Sequence, residues 1–152
     1  MNKHNKKRLQ EMEREILRQK YPSVPEHALA GTNWSDSSAN GLTKCIVGFL
    51  NMSGHFAERI NTMGVYRQGK KIQVGENIRQ LAGRYTPTTG VKGSADISAT
   101  INGRSVKVEV KYGKDRMSAE QKAYAERTIA SGGIYYVAKD FDSFIEWYDL
   151  TF

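Results

Sequence analysis

The sequence has 152 residues, of which 39% are hydrophobic, so it is long enough for one domain with a real core and unlike a disordered chain. No apolar run approaches the roughly 20 residues that span a bilayer, the N-terminus MNKHNKKRLQ lacks a signal-peptide core, and the single Cys45 cannot form a disulfide framework. We therefore expect a cytoplasmic chain with no membrane partner, and the net charge of +7 favours a polyanionic partner, chiefly nucleic acid.

The first predicted element is an amphipathic helix, NKKRLQEMEREILRQK, at residues 5–20. Its apolar side chains recur at helical spacing, at Leu9, Met12, Ile16 and Leu17. Pro22 and Pro25 end it. We expect residues 1–35 to form an N-terminal arm with a linker, packing on the body or on a second subunit, and residues 36–152 to form one domain. The basic side of the arm either touches phosphates or is simply a solvated face.

A second helix is predicted over LTKCIVGFLNM, residues 42–52, ending at Gly54. Cys45 lies beside its apolar stripe and is expected to be a buried hydrophobic residue rather than a nucleophile. Residues 55–62 prolong a helix or form an edge strand, and Gly54 favours the strand. Residues 64–92 are Gly-rich and polar, which predicts a long loop holding a short strand and a helical turn around Glu76–Leu81.

The segment GSADISATINGRSVKVEVK, residues 93–111, predicts a β-hairpin whose register is fixed. Asn102-Gly103 is typical of a two-residue type I′ turn, because both residues tolerate positive φ. Such a turn places residue 101 opposite 104, 97 opposite 108 and 96 opposite 109. The core face then holds Ala95, Ile97, Ala99, Ile101, Val106, Val108 and Val110, and the other face holds Ser94, Asp96, Ser98, Thr100, Ser105, Lys107, Glu109 and Lys111.

This register puts Asp96 beside Glu109, with Cβ atoms about 5 Å apart. Like charges at that distance repel, so either one carboxylate keeps a proton or a cation lies between the two. A hard ion such as Mg²⁺ suits two carboxylates, and Lys111 on the same face offers a positive charge to a phosphate. The alternative is a solvated face on which Lys107 and Lys111 simply neutralise the two acids. The pairing alone does not separate these interpretations.

The remaining elements complete the prediction of an α/β fold. Ser118 and Gln121 match a capping box, so a helix begins there, and Gly132-Gly133 ends it. A strand at 134–140 and a helix at 141–150 follow. The expected architecture is a small mixed β-sheet flanked by helices, with the first turn of the Gln121 helix lying over the carboxylate face.

Three motifs together resemble the core of the PD-(D/E)XK nucleases. They are Gly93-Ser94-Ala95-Asp96, Glu109-Val110-Lys111 and Ser118-x-x-Gln121. The likeness is to the VRR-NUC branch (virus-type replication-repair nucleases), near the Holliday-junction resolvases, and GHFAERINTMG resembles the segment before the core in that branch. It covers roughly residues 40–139 and implies a restriction-endonuclease-like αβββαβ core.

The resemblance implies a Mg²⁺-dependent endodeoxyribonuclease, with Mn²⁺ as a substitute, acting on branched or flapped DNA in phage-type replication, repair or recombination. Asp96, Glu109 and the backbone carbonyl of Val110 would be metal ligands, Lys111 would orient or deprotonate the attacking water, and Gln121 would position either Lys111 or that water. By analogy we also expect a homodimer in the cytoplasm of a bacterial or phage-infected cell. The alternatives are a non-catalytic DNA-binding protein on the same fold and an assembly adaptor acting through the arm.

The sequence departs from the family pattern in three places. Ala95 replaces the usual proline, and Tyr124 comes one residue early in the late helix. The glutamate of the first helix is missing, so Asn40 is the candidate for this ligand, with Asp36 second and Glu58 the alternative if residues 55–62 are helical. For contacts with DNA phosphates, the candidates are Arg59, Lys92, Lys114 and Arg116. Tyr135 is expected to be a core aromatic.

Overall fold

The computed structural model describes residues 1–61, 65–74, 77–86 and 90–152. Its helices are α1 (Lys3–Lys20), α2 (Ala39–Met52), α3 (Ala119–Ala130) and α4 (Phe141–Thr151), with a short 3-10 turn at Glu26–Ala28. Its strands are β1 (Phe56–Arg59), β2 (Val65–Arg67), β3 (Lys71–Val74), β4 (Asn77–Gln80), β5 (Arg84–Thr86), β6 (Ile97–Ile101), β7 (Arg104–Val110) and β8 (Ile134–Ala138). The fold is mixed α/β, as predicted, and no helix in these ranges is long and apolar enough to cross a bilayer.

A four-stranded mixed sheet of order β1-β6-β7-β8 forms the centre, in which β8 runs parallel to β7 and the other neighbours are antiparallel. Asn102 and Gly103 have φ of 48° and 77°, as a type I′ turn requires. The register pairs Ile101 with Arg104 and Ile97 with Val108, and the predicted core face is buried. The structure therefore confirms the hairpin, its register and β1 as an edge strand.

Helices α2 and α4 cover the apolar face of this sheet, and α1 packs on these two helices. Phe49 of α2 packs edge-on against Phe141 and Phe144 of α4, with ring centroids 6.0 and 6.2 Å apart. Helix α2 begins at Ala39, three residues before the predicted start at residue 42. The Ser38 side chain accepts the Gly41 N–H and so caps the helix there. The result is a single hydrophobic core on one side of the sheet.

The N-terminal helix packs on the body of its own chain. Leu9 is fully buried in the core, and Asn5 donates from Nδ2 to Asp142 at 2.7 Å. One oxygen of Glu13 accepts both the Trp34 indole N–H and the Thr32 N–H, each at 2.9 Å. These contacts tie α1 to the following linker and to α4. The boundary at 35/36 and the homodimer stay predictions.

Helix α3 lies on the other side of the sheet, over the polar face of the hairpin. Its capping box is present as predicted, with Ser118 accepting from the Gln121 N–H and the Gln121 side chain accepting from the Ser118 N–H. The helix ends at Ala130, before Gly132 at φ +81°. Through this cap the first turn of α3 lies near the start of β6 and the end of β7.

Residues 65–74 and 77–86, between β1 and β6 in the sequence, form paired antiparallel strands that we call the ribbon. Its strands pair antiparallel, β2 with β5 and β3 with β4. The expected short strand is present, but strands β2 to β5 take the place of a long loop, and the predicted helical turn is wrong because Asn77–Gln80 pairs with Lys71–Val74 as a strand. Glu76, the first residue of that predicted turn, lies outside the described residues.

Candidate active site

Polar side chains meet at one end of the sheet, where β6 begins and β7 and β8 end. Asp96 directly precedes β6, Val110 is the last residue of β7, and Lys111 follows it. The Lys111 N–H donates to the Ala138 carbonyl at 2.8 Å, which extends the pairing of β7 with β8 by one step. Lys111 is thereby held in strand-like geometry, two residues from Glu109 and on the same face.

Backbone hydrogen bonds fix Asp96 on both sides. One carboxylate oxygen accepts the Val110 N–H at 2.9 Å, and the Asp96 carbonyl accepts the Ile60 N–H at 2.7 Å. The paired register ends at Ile97 and Val108, so Asp96 lies one residue beyond it. Its charge nevertheless acts on Glu109 and helps to raise the pKa of that group. The two acids therefore lie close enough to repel.

The Glu109 side chain is only 1% exposed to solvent. Its Oε1 accepts from the Lys111 ammonium at 3.0 Å and from the Gln121 amide, and its Oε2 accepts from the Tyr135 hydroxyl at 3.5 Å. Burial raises the pKa of Glu109, Lys111 opposes that shift, and the charges of Asp96 and Asp115 add to it. Its hydrogen-bonding partners offset part of the cost of burying this carboxylate.

Lys111 is nearly as enclosed, with 8% of its side chain exposed. Its ammonium also contacts the carboxylate of Asp115 at 3.3 Å. Burial lowers the pKa of Lys111, but its hydrogen bonds and charge interactions with Glu109 and Asp115 outweigh that effect, so the net shift is upward. Lys111 is accordingly a charged ammonium held between two acids.

Two members of this cluster, Asp115 and Tyr135, are not among the site residues predicted from the sequence. Asp115 lies four residues after Lys111 in the non-helical β7–α3 connection, where no helix or strand periodicity predicts the contact. The expectation that Tyr135 is a core aromatic is wrong, since its hydroxyl points to Glu109, and burial together with the nearby acids raises its pKa. Pairing of Tyr135 with Lys107 places it on the polar face, and only the parallel register shows this.

A close approach between one loop and the start of α3 positions Gln121. Gly93 has φ +77°, and a Cβ there would run into the Glu120 carbonyl, so the Gly93–Asp96 loop passes directly against the start of α3. Gln121 uses its amide oxygen for the helix cap and its amide nitrogen for Glu109. The structure thus brings together Asp96, Glu109, Lys111 and Gln121, which the sequence singled out.

The candidates for a further metal ligand lie elsewhere or have other partners. Asn40 accepts from Arg59 at 2.9 Å, and Arg59 pairs with Ile97, so both belong to the core side of the sheet. Asp36 binds the N-terminal ammonium at 2.8 Å and a backbone N–H of α4 at 3.1 Å. Glu58 lies in a strand, and its pairing with Ser98 places it on the polar face. This arrangement does not favour Asn40 as a ligand shared with Asp96.

The four basic residues predicted to contact DNA phosphates do not lie together. Lys92 forms an exposed ion pair with Glu120 at 3.2 Å, and Lys114 and Arg116 are exposed between β7 and α3, beside the acidic cluster. Arg59 lies at the sheet edge on the opposite face. Tyr124 packs against Tyr135, with ring centroids 6.3 Å apart.

The candidate metal ligands are oxygen atoms, which Mg²⁺ and Mn²⁺ prefer, but the protein supplies few of them. Asp96 and Glu109 supply carboxylate oxygens, and Val110 supplies a backbone carbonyl. Nowhere in residues 1–61, 65–74, 77–86 and 90–152 do three or more His, Cys, Asp or Glu side chains form a metal-binding group. Mg²⁺ is commonly held by one or two carboxylates and completes its shell with water and substrate phosphate oxygens, which is compatible with this set.

A search against models of known protein families found no match, and a search of curated proteins found none either.

Proposed function

We propose that this protein is a divalent-cation-dependent endonuclease that hydrolyses phosphodiester bonds in DNA. The observation that carries the proposal is the enclosed Glu109–Lys111 pair beside Asp96, at a sheet end that also holds Gln121. A site for phosphoryl transfer needs hard oxygen ligands next to a fixed positive charge, and this cluster offers both.

Stability alone is a weak explanation for such a cluster. Replacing a buried ion pair by apolar residues of similar size is often neutral or stabilising. Here the pair has, in addition, a second carboxylate nearby whose charge acts unfavourably on Glu109. A purely structural pair gains nothing from a second negative charge, whereas a cation-binding site uses it.

Asp96, Glu109 and the Val110 carbonyl would hold the ion. When bound, Mg²⁺ lowers the pKa of water and offsets negative charge that develops on the phosphate. In hydrolysis a water oxygen forms a bond to phosphorus and gives up a proton to solvent, the ester P–O bond breaks, and the leaving oxygen takes up a proton from solvent. Lys111 supplies a fixed ammonium that stabilises the additional negative charge.

The other residues orient these groups. Gln121 and Tyr135 donate to opposite oxygens of Glu109, so the plane of its carboxylate is set from two sides. Asp115 holds the Lys111 ammonium from the loop. A rigid arrangement of this kind is what electrostatic catalysis requires, because pre-positioned groups need no reorganisation during the reaction.

The test is a cleavage assay with Mg²⁺ or Mn²⁺ on branched, flapped, nicked and linear DNA. We expect wild type to cut branched or flapped DNA, and Asp96→Asn, Glu109→Gln and Lys111→Met each to lose cutting by at least about a hundredfold. Glu126→Gln and Lys122→Met, at exposed positions of α3, are matched controls that retain wild-type rates. Circular dichroism checks that each variant is folded.

Absence of cleavage by wild type on every substrate overturns the nuclease proposal. If wild type then still binds DNA, the non-catalytic DNA-binding protein takes its place. Cleavage that survives Asp96→Asn and Glu109→Gln unchanged would show that the cutting site lies elsewhere or that the activity is a contaminant.

A further inference from the structure

The ribbon has an unusual charge composition. It contains five basic residues, Arg67, Lys70, Lys71, Arg79 and Arg84, and no acidic one. Glu76, which lies between its two ranges, is the one acid in the sequence from residue 65 to 86. None of these five side chains forms an ion pair within the part of the chain that the structure describes.

Two arginines in the ribbon lie directly opposite each other. Arg67 of β2 pairs with Arg84 of β5, so their side chains share a face with Cβ atoms about 5 Å apart. Like charges so placed destabilise a strand pair that is already marginal on its own. An anion bound between the two guanidinium groups would remove this cost.

The ribbon also exposes large apolar and aromatic side chains. Tyr66 and Tyr85 form the next cross-strand pair and are 63% and 61% exposed, and Ile78 is 72% exposed. The ribbon strands make their main contacts with each other rather than with the helices or the central sheet. Because successive residues of a strand point to opposite faces, Tyr66 and Tyr85 lie on the face opposite Arg67 and Arg84, and all four residues are exposed. A basic ribbon exposed on both faces suits insertion into a groove lined by phosphates.

The base of the ribbon adjoins the candidate active site. It leaves the sheet after β1 and returns before β6, and the Ile60 N–H binds the carbonyl of Asp96 itself. The ribbon is therefore joined to the sheet at the end that holds Asp96 and Lys111, so a polyanion bound at its base would lie near these residues.

We propose that the ribbon is a DNA-binding arm that holds duplex DNA next to the active site, with Arg67 and Arg84 on backbone phosphates. The major groove of B-DNA, about 12 Å wide, admits a two-stranded β-ribbon, and arginine binds phosphate oxygens in bidentate fashion. The inference rests on the proposed function only in that DNA is the ligand of both; binding by the ribbon does not require cleavage.

The test measures binding of the full chain to a fluorescent 20-bp duplex by anisotropy, in EDTA, across a range of NaCl concentrations. Arg67→Gln/Arg84→Gln should weaken binding about tenfold at 0.15 M salt and reduce the slope of log K against log salt by about 1.8. The matched control, Lys20→Gln/Arg104→Gln, removes the same charge outside the ribbon and should bind like wild type. A second variant, Lys70→Gln/Arg79→Gln, covers the case in which the first pair affects folding.

Each outcome bears on the ribbon separately from the nuclease. If both ribbon variants bind duplex as tightly as the control, or if wild type does not bind duplex at all, the ribbon proposal is overturned. It is also overturned if the variants lose affinity only for a single-stranded oligonucleotide. A ribbon variant that binds weakly while Glu126→Gln binds normally supports it, whatever the cleavage assay shows.

Discussion

The carboxylate of Glu109 and the ammonium of Lys111 form a 3.0 Å ion pair almost without access to solvent. Residues two apart on a strand point to the same face, so the periodicity of β7 and its one-residue extension set this pairing. The covering helix α3 then encloses the pair and adds the Gln121 contact. Burial turns what would be an ordinary surface pair into one whose partners depend on each other.

Removing Lys111 should therefore be costly. Lys111→Met keeps the side-chain length but leaves Glu109 as a buried charge without its cation, and we expect a loss of about 3 kcal/mol in the free energy of unfolding at pH 7, measured in urea. The double variant Glu109→Gln/Lys111→Met should recover most of it. Lys122→Met, on the exposed side of α3, should change stability by no more than about 0.5 kcal/mol. An unaffected Lys111→Met would show that the pair contributes nothing.

Divalent cations should stabilise the folded protein. An ion that binds only the native state at ten times its Kd adds about 1.4 kcal/mol, visible as a higher Tm with Mg²⁺ or Mn²⁺. Asp96→Asn should abolish the increase, whereas Glu126→Gln should retain it. Equal stabilisation of wild type and Asp96→Asn would place the ion away from this cluster.

Gly93 should tolerate no side chain. Its φ of +77° and the nearby Glu120 carbonyl mean that Gly93→Ala adds backbone strain of about 1–3 kcal/mol and pushes against the start of α3. Gly54→Ala is the matched control, because Gly54 has φ +83° but open space around its Cβ position. We expect Gly93→Ala to lose more stability than Gly54→Ala and to weaken the cation-induced rise in Tm. Equal effects of the two substitutions would mean that the contact with α3 is unimportant.

The N-terminal helix should contribute to the stability of the whole chain. Leu9 is fully buried in the common core, so Leu9→Ala should cost about 2–5 kcal/mol in a single urea transition. Ile16→Ala, at an exposed position of the same helix, should cost far less. If Leu9→Ala left the main transition unchanged, the arm would be an independent unit.

Cys45 should be chemically inert in the native protein. Burial raises the pKa of its thiol from about 9 to about 11, so little thiolate exists at pH 8 and iodoacetamide should react only after unfolding. A raised native pKa contributes stability below pH 9 that is lost as the pH rises towards 11. The difference in unfolding free energy between wild type and Cys45→Ala should therefore shrink between pH 8.5 and 11. Rapid labelling of the native thiol would contradict this.

Local chemistry explains what the sequence could predict. The Asn102-Gly103 turn fixes its register within two residues, so the faces of β6 and β7 follow directly. The Ser118–Gln121 cap is equally local, and it correctly places the start of α3. Together these two signals are enough to locate the cluster of Asp96, Glu109, Lys111 and Gln121.

The parts that escaped prediction depend on distant partners. Tyr135 joins the cluster only through the parallel register of β7 and β8, which no turn between them determines. The β2–β5 pairing joins residues as far apart as 65 and 86, across Gly-rich sequence with little alternation. The sequence alone does not exclude Asp36 as a metal ligand. The partners of its carboxylate, Met1 and the first residue of α4, are far from it along the chain and are visible only in the structure.

Gln121 performs two tasks with a single amide. The capping-box position accepts Glu as readily as Gln, so the helix start by itself does not select between them. A glutamate there would bring a third negative charge against Glu109 and would have no hydrogen to give it. Helix initiation and the arrangement of the acids are thus coupled through one side chain, and any fraying of the first turn of α3 would also remove the Gln121 hydrogen bond from Glu109.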